Sequence, residues 1–119
     1  MTDHPVLTLE TVRDVAAEIV KDSPMKVVAI CTYAHPQYEG PSCLVGAILY
    51  KLGWTYQELR EFDRGNNTDG ESTISSLVLN GDIDADEFAR TYLASLQTLQ
   101  DSGIFWLEVY RTTEKRYGQ

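Results

Sequence analysis

One apolar stretch, residues 40–54, constrains the fold of this chain more than any other segment. Between Ser42, a favourable N-cap, and Gly53, a favourable residue just beyond a helix end, apolar residues recur three and four positions apart. These residues are Leu44, Val45, Ile48, Leu49 and Leu52. The spacing predicts a buried helix, and Gly46 in its interior predicts close packing by another element. We therefore expect the other elements to surround this helix.

A surface helix is predicted over residues 9–21. Thr8 is a favourable N-cap, and Asp22-Ser-Pro24 ends the pattern. One side of this helix is apolar and consists of Leu9, Val12, Val15, Ala16, Ile19 and Val20. The other side is charged and consists of Arg13, Asp14, Glu18 and Lys21. Such an amphipathic pattern is typical of a helix that packs on a core with one side facing solvent.

Three more helices are predicted after the central one, and two of them begin with a capping box. In Thr55-Tyr-Gln-Glu58 the hydroxyl and the carboxylate can each satisfy a backbone N–H, and the helix extends to about Asp63. Asp84-Ala-Asp-Glu87 is interpreted in the same way and opens a helix over residues 85–101. Between them, Asn80-Gly81 ends a short helix. The predicted inward residues of these three helices are Tyr56, Leu59, Phe62, Ile74, Leu77, Val78, Phe88, Ala89, Tyr92, Leu93, Leu96 and Leu99.

Two segments have the composition of β-strands. Residues 26–33 are rich in β-branched and aromatic residues and predict a short strand. Residues 104–113, after a helix stop at Gly103, fit either a strand that pairs with the first or a helix from about Trp106 to Lys115. The predicted fold class is therefore mainly α. It is a small single-domain bundle of five to six helices over residues 1–119 with one short strand or small hairpin, and an α+β fold is the alternative.

Several short motifs occur in a distinctive order and spacing. They are Cys31-Thr-Tyr33, Gly40-Pro-Ser-Cys-Leu-Val-Gly46, Leu52-Gly53 followed by Gln57-Glu58-Leu59, and Gln100-Asp-Ser-Gly103 followed by Trp106 and Glu108. Over about residues 9–110 they resemble a group of small uncharacterised proteins of actinobacteriophages and actinobacteria, which has no assigned activity. The resemblance implies a phage or host accessory protein of the cytosol and a helix after Trp106. The link before Cys31 is shorter here than in that group, which argues against a complete hairpin.

The formal net charge of −8 is concentrated in one part of the chain. Residues 58–87 hold nine acidic residues against Arg60 and Arg64, so a charge of about −7 lies there. This charge disfavours nucleic acid and anionic membranes and favours a basic protein partner, while a solvated acidic face that maintains solubility is the alternative. No stretch approaches the ~18 apolar residues of a membrane span, and residues 1–5 lack the features of a secretion signal. A cytoplasmic location is expected, which is the host cytosol for a phage protein.

Cys43 is the residue whose position best suits covalent chemistry, because a helix N-terminus stabilises a thiolate. Such chemistry needs a base, and nothing in the sequence places either histidine, His4 or His35, beside the thiol. A buried structural cysteine is therefore preferred, so no catalytic residue is assigned and an enzyme is not the expected class. In a reducing cytosol, Cys31 and Cys43 are expected to be thiols rather than a disulfide.

No cofactor and no metal ion is expected. The pattern Asp82-x-Asp84-x-Asp86 begins like a calcium loop, but position six is Glu87 rather than Gly and position twelve is Leu93 rather than Glu. The two cysteines also lack the further ligands of a zinc motif. These acidic residues are better used as helix caps.

The preferred function is a non-catalytic accessory protein that acts by protein–protein interaction. Residues 45–62 have the rhythm of a helix-turn-helix motif, so a DNA-binding regulator is the alternative, although the second helix offers mainly acidic side chains. A Cys43-dependent hydrolase is the third possibility. The predicted interaction residues are Trp54, Tyr56, Arg60, Glu61, Trp106 and Tyr110. Trp106 and Tyr110 are expected to anchor a homodimer or a partner site, unless residues 104–113 simply close the bundle.

Overall fold

A computed structural model describes residue 4 and residues 6–26, 43–65, 74–79 and 81–117 of the chain. These residues form six α-helices and no strand, which confirms the mainly α class. The helices are α1 Leu9–Asp22, α2 Leu44–Lys51, α3 Tyr56–Gly65, α4 Ile74–Leu79, α5 Glu87–Asp101 and α6 Trp106–Tyr117. The predicted strand at residues 26–33 lies, apart from Lys26, outside the described residues, as does Cys31.

The helices pack around α5. Helices α1, α2, α4 and α6 all contact it, α1 also contacts α2 and α6, and α3 packs on α2. Five of the eight residues of α2 are buried, as its composition predicts, but Tyr50 and Lys51 are exposed, and the helix is too short to contact every other element. The 15 residues of α5 span about 22 Å and can do so. No helix in the described part of the chain is long and apolar enough to cross a membrane.

Most helix ends lie where the capping residues predict them. The Thr8 hydroxyl accepts a hydrogen bond from the Thr11 N–H at 3.3 Å at the start of α1. The Thr55–Glu58 capping box is formed in both directions: the Glu58 carboxylate accepts from the Thr55 N–H at 2.8 Å, and the Thr55 hydroxyl accepts from the Glu58 N–H at 3.1 Å. Gly53 follows α2 with φ +116°, a left-handed conformation that favours glycine. Local sequence therefore defines these ends correctly.

Helix α6 replaces the strand that composition alone favours for residues 104–113. It begins at Trp106 and continues to Tyr117, two residues beyond the predicted Lys115. Trp106, Val109 and Thr113 are buried on one side, as the helical alternative requires. The first N–H groups of α6 are satisfied from outside the helix, because Trp106 donates to the Lys26 carbonyl and Leu107 donates to the Pro24 carbonyl, both at 2.9 Å.

Two predicted helix starts are wrong. Cys43, not Ser42, is the N-cap of α2, since its sulfur accepts a hydrogen bond from the Gly46 N–H at 3.3 Å. Asp86, not Asp84, is the N-cap of α5, with its carboxylate 2.7 Å from the Ala89 nitrogen, so the helix begins at Glu87 rather than at residue 85.

A backbone pairing explains the later start of α5. Leu7 and Ala85 form an isolated parallel bridge, in which the Leu7 N–H donates to the Asp84 carbonyl at 2.8 Å and the Asp86 N–H donates to the Leu7 carbonyl at 3.0 Å. This pairing keeps residues 84–86 extended.

Phe88, which we expected to face inward, is 69% exposed, although Tyr92 one turn later is fully buried. Ala89, the next residue, is also fully buried, so Phe88 lies outside the buried side of α5.

Candidate interaction site

An acidic cleft of about 800 Å³ is lined by the first turns of α3 and by residues 81–84. Its carboxylates are Glu58, Glu61, Asp82 and Asp84, and no Lys or Arg is among the described residues that line it. Glu61, Asp82 and Asp84 are exposed. Within the described part of the chain, none of these three side chains has a hydrogen bond or an ion pair. Their charges are therefore available to a ligand.

The turn after α4 positions the carboxylates of Asp82 and Asp84 at the cleft. The N–H groups of Asp82 and Ile83 both donate to the Leu77 carbonyl, at 2.9 and 3.2 Å, which folds the chain back against α4. Ile83 is 1% exposed and anchors the turn in the core. Asp82 and Asp84, on either side of Ile83, are both exposed, so their carboxylates face solvent.

His4 joins the wall of the cleft to α3. Its ring stacks on Trp54 with centroids 3.8 Å apart, and its Nε2 lies 3.0 Å from the Glu58 carboxylate. Burial raises the pKa of Glu58, but hydrogen bonds from the Thr55 N–H and from His4 outweigh it, so the net pKa lies below the usual value. Glu58 therefore remains ionised and acts as a fixed support of the cleft wall. The sequence gives no local signal for this contact, because His4 and Glu58 lie 54 positions apart.

The structure places the six predicted interaction residues in different surroundings. Trp54 and Trp106 are each only 2% exposed, so neither ring is an exposed anchor on this chain. Tyr56, Arg60 and Tyr110 are half-buried, and Glu61 is exposed. Trp54 and Glu61 line the acidic cleft, whereas Trp106 and Tyr110 lie on α6.

The burial of Trp106 agrees with the alternative in which residues 104–113 close the bundle. Its ring is covered by the Lys26 ammonium group, which lies 4.9 Å from the ring centroid. Tyr110 packs against the core from the same helix. A role of these two residues in a partner site stays a prediction.

Three exposed apolar side chains lie beside the acidic cleft in the chain. Leu79 is 88% exposed and precedes the cleft residue Gly81 by two positions, while Phe88 is 69% exposed and follows Asp84 by four. Val6 is 57% exposed and adjoins Leu7, which pairs with residues 84–86. We call Val6, Leu79 and Phe88 the apolar rim. Exposed large apolar side chains of this kind are groups that a protein partner can bury.

Two further hypotheses, a Cys43-dependent hydrolase and a helix-turn-helix DNA-binding regulator, depend on residues of α2 and α3 and on His35. Cys43 is 1% exposed at the start of α2, and His35, its candidate base, lies outside the described residues. Helices α2 and α3 are consecutive and contact each other. Two side chains of the first turns of α3, Gln57 and Glu61, face the acidic cleft, where the neighbouring charges are negative.

Comparisons with protein families, with curated proteins and with solved structures find no match to this chain. Among the described residues, no group of three or more His, Cys, Asp or Glu side chains is arranged to hold a metal ion. The acidic cleft and the apolar rim are thus defined by geometry, exposure and charge.

Proposed function

We propose that this protein is a non-catalytic binding protein whose acidic cleft and apolar rim receive a basic, amphipathic segment of a partner protein. The observation that carries the proposal is the combination of unpaired carboxylates with exposed apolar side chains of the adjoining residues. The sequence resemblance to small proteins of actinobacteriophages and actinobacteria supports a phage or host accessory protein that acts in the cytosol.

The apolar rim and the cleft make different contributions to such binding. Fully burying a side chain such as Leu79 or Phe88 contributes on the order of 1.5–3 kcal/mol. An ion pair at an exposed carboxylate contributes only about 0–1 kcal/mol, since water and salt screen it. The rim therefore supplies most of the affinity, and Glu61, Asp82 and Asp84 select a cationic partner and accelerate its approach.

The charge of the cleft also separates this function from DNA binding. The α2–α3 pair has the right connectivity for a helix-turn-helix regulator, but phosphates would meet the carboxylates of Glu61, Asp82 and Asp84 beside α3. A cationic protein segment meets the same groups with attraction. For this reason the DNA-binding regulator ranks second.

The test is a comparison of proteins captured from an actinobacterial lysate by the wild type and by two variants. The cleft variant carries Glu61→Gln, Asp82→Asn and Asp84→Asn. The control variant removes the same charge at exposed residues outside the cleft and carries Glu10→Gln, Asp14→Asn and Asp22→Asn. Far-UV circular dichroism checks that all three proteins are folded.

We expect the wild type and the control variant to capture a common protein with a basic segment, which the cleft variant loses. A peptide of that segment should bind the wild type with an affinity that falls as salt is raised. Equal capture by the cleft and control variants would refute the role of the acidic cleft. Capture of no protein by the wild type would equally count against the proposal.

A further inference from the structure

A second charged surface, on the outward side of α6, has the opposite sign to the acidic cleft. Arg111, Lys115 and Arg116 are exposed there and line one shallow surface with Glu108 and Thr112. Among the described residues, no hydrogen bond or ion pair engages these three cationic side chains. We call Arg111, Lys115 and Arg116 the basic face of α6. It shares no lining residue with the acidic cleft.

The inner side of α6 is firmly attached, so the basic face stands on a fixed support. The Glu114 carboxylate accepts two hydrogen bonds from the Arg13 guanidinium, both at 2.9 Å, and a third from the Tyr92 hydroxyl at 2.6 Å. The hydroxyls of Ser95 and Thr113 are 2.9 Å apart. These bonds join α6 to α1 and α5. The basic face therefore requires no rearrangement of the helix in order to be presented to a partner.

We propose that the basic face of α6 docks into the acidic cleft of a second copy of this protein. This inference rests on the proposed function, because it names one occupant of the same cleft. Arg111 and Lys115 are four residues apart and so lie about 5–6 Å apart on one side of the helix, which lets both side chains enter the same cleft. The carboxylates of that cleft come from α3 and from residues 81–84.

Local charge, rather than net charge, decides this interaction. Each copy carries a net charge of −8, but the screening length is about 8 Å at physiological ionic strength, so that only the surfaces in contact matter. Those surfaces are Arg111, Lys115 and Arg116 on one copy, which outweigh the single carboxylate of Glu108 beside them, and the carboxylates of Glu61, Asp82 and Asp84 on the other. The chain thus contains its own complementary partner surface.

The two surfaces differ, so the contact is head-to-tail rather than symmetric. Each copy that uses its cleft still has an unused basic face, and further copies can add to it. Association should therefore proceed beyond a dimer as the protein concentration rises. A basic segment of another protein would compete with the second copy for the cleft.

Sedimentation velocity of the full chain tests this inference at ~0.1 M and ~0.5 M salt, over about 10 to 500 µM protein. We expect the wild type to form dimers and larger species that dissociate at the higher salt. The α6 variant carries Arg111→Gln, Lys115→Gln and Arg116→Gln. The α6 variant and the cleft variant should each self-associate about tenfold more weakly than the wild type.

A mixture of the two variants gives the sharpest result. The α6 variant retains its cleft and the cleft variant retains its basic face, so one intact contact is possible per pair and the mixture should stop at a 1:1 dimer. A wild type that remains monomeric at ~0.1 M salt would overturn the inference. So would a mixture without heterodimers, or undiminished association of the α6 variant.

The proposed function is tested separately by capture from the lysate. The α6 variant should still capture the partner of the wild type, because its cleft is intact. Loss of self-association with normal capture by the α6 variant supports both proposals. Self-association by the head-to-tail contact, together with equal capture by the cleft and control variants, would support the inference and refute the proposed heterologous partner.

Discussion

The carboxylate of Glu114 is the residue-level link between the two ends of the described chain. It accepts from Arg13 on α1 and from Tyr92 on α5, and the hydrogen bond with Arg13 is the main reason that its pKa lies below the usual value. Burial, and then the bond to Glu114, raise the pKa of the Tyr92 hydroxyl. Tyr92 therefore stays protonated at neutral pH and remains a hydrogen-bond donor to Glu114.

We predict that Glu114→Gln lowers the free energy of unfolding at pH 7 by about 1–2 kcal/mol, since the charge-assisted bonds to a partly exposed Arg13 are lost. The folded pKa of Glu114 is below its ordinary value of 4.5, so its stabilisation is present above that pH and is lost as the pH falls through the folded value. Urea unfolding between pH 7 and pH 3 should show a shallower loss of stability in the variant.

Glu108→Gln is the matched control for this experiment, because Glu108 is an exposed acidic residue on the same helix. It should leave both the stability at neutral pH and its decline in acid nearly unchanged. An equal pH dependence in the wild type and in Glu114→Gln would show that the Arg13–Glu114–Tyr92 contact does not stabilise the fold.

At the scale of elements, the start of α5 is determined by the backbone bridge to Leu7, which is distant in sequence. Asp84 and Asp86 have the same side chain and either could cap a helix. The bridge to Leu7 uses the backbone of both residues and holds Asp84 in extended conformation, which leaves Asp86 as the N-cap.

We predict that Asp86→Ala lowers the free energy of unfolding by about 1 kcal/mol, because the Ala89 N–H loses its acceptor. Asp84→Ala removes the same charge from an exposed side chain without a described partner and should change stability by less than about 0.5 kcal/mol. Thermal and urea unfolding of the two variants provide the measurement. A larger loss in Asp84→Ala than in Asp86→Ala would mean that α5 begins earlier in solution.

The sequence is informative about those parts of the fold that depend on neighbouring residues. The Thr55–Glu58 capping box, the buried side of α1 and the helix end before Gly103 are all local patterns, and the structure confirms them. The sequence leaves residues 104–113 ambiguous, because their β-branched and aromatic residues favour a strand. Packing against α1 and α5 stabilises the helix instead.

Little of the candidate site could be predicted in this way. Glu61 and the acidic character of the region follow from the sequence, but the exposure of Phe88 and the burial of Trp54 depend on how the elements pack together. The His4–Trp54 stack depends on chain segments that are far apart in sequence. The periodicity of apolar residues reports on one helix or strand at a time, so it carries no information on contacts between distant segments.

At the scale of the whole molecule, the chain carries two charged surfaces of opposite sign. The acidic cleft borders α3, and the basic face lies on α6. No residue lines both surfaces. A phosphate backbone that approached α3 as a recognition helix would meet carboxylates first.

We therefore predict no sequence-specific binding to duplex DNA at ~150 mM salt, where weak electrostatic attraction is largely screened. A gel-shift assay with random-sequence and actinobacterial promoter DNA provides the measurement. The α6 variant is the control for weak non-specific attraction to Arg111, Lys115 and Arg116. A shift that depends on DNA sequence, and that Gln57→Ala removes, would instead establish α3 as a recognition helix.

The attachment of α1 to the last two helices also has a consequence for biosynthesis. The apolar side of α1 is covered by α2, α5 and α6, and its Arg13 is paired with a residue 101 positions later. On the ribosome, α1 emerges long before α5 and α6, so its apolar side remains uncovered while most of the chain is translated. The core can therefore be completed only after α6 has emerged from the ribosome, and until then α1 is exposed to chaperones and proteases.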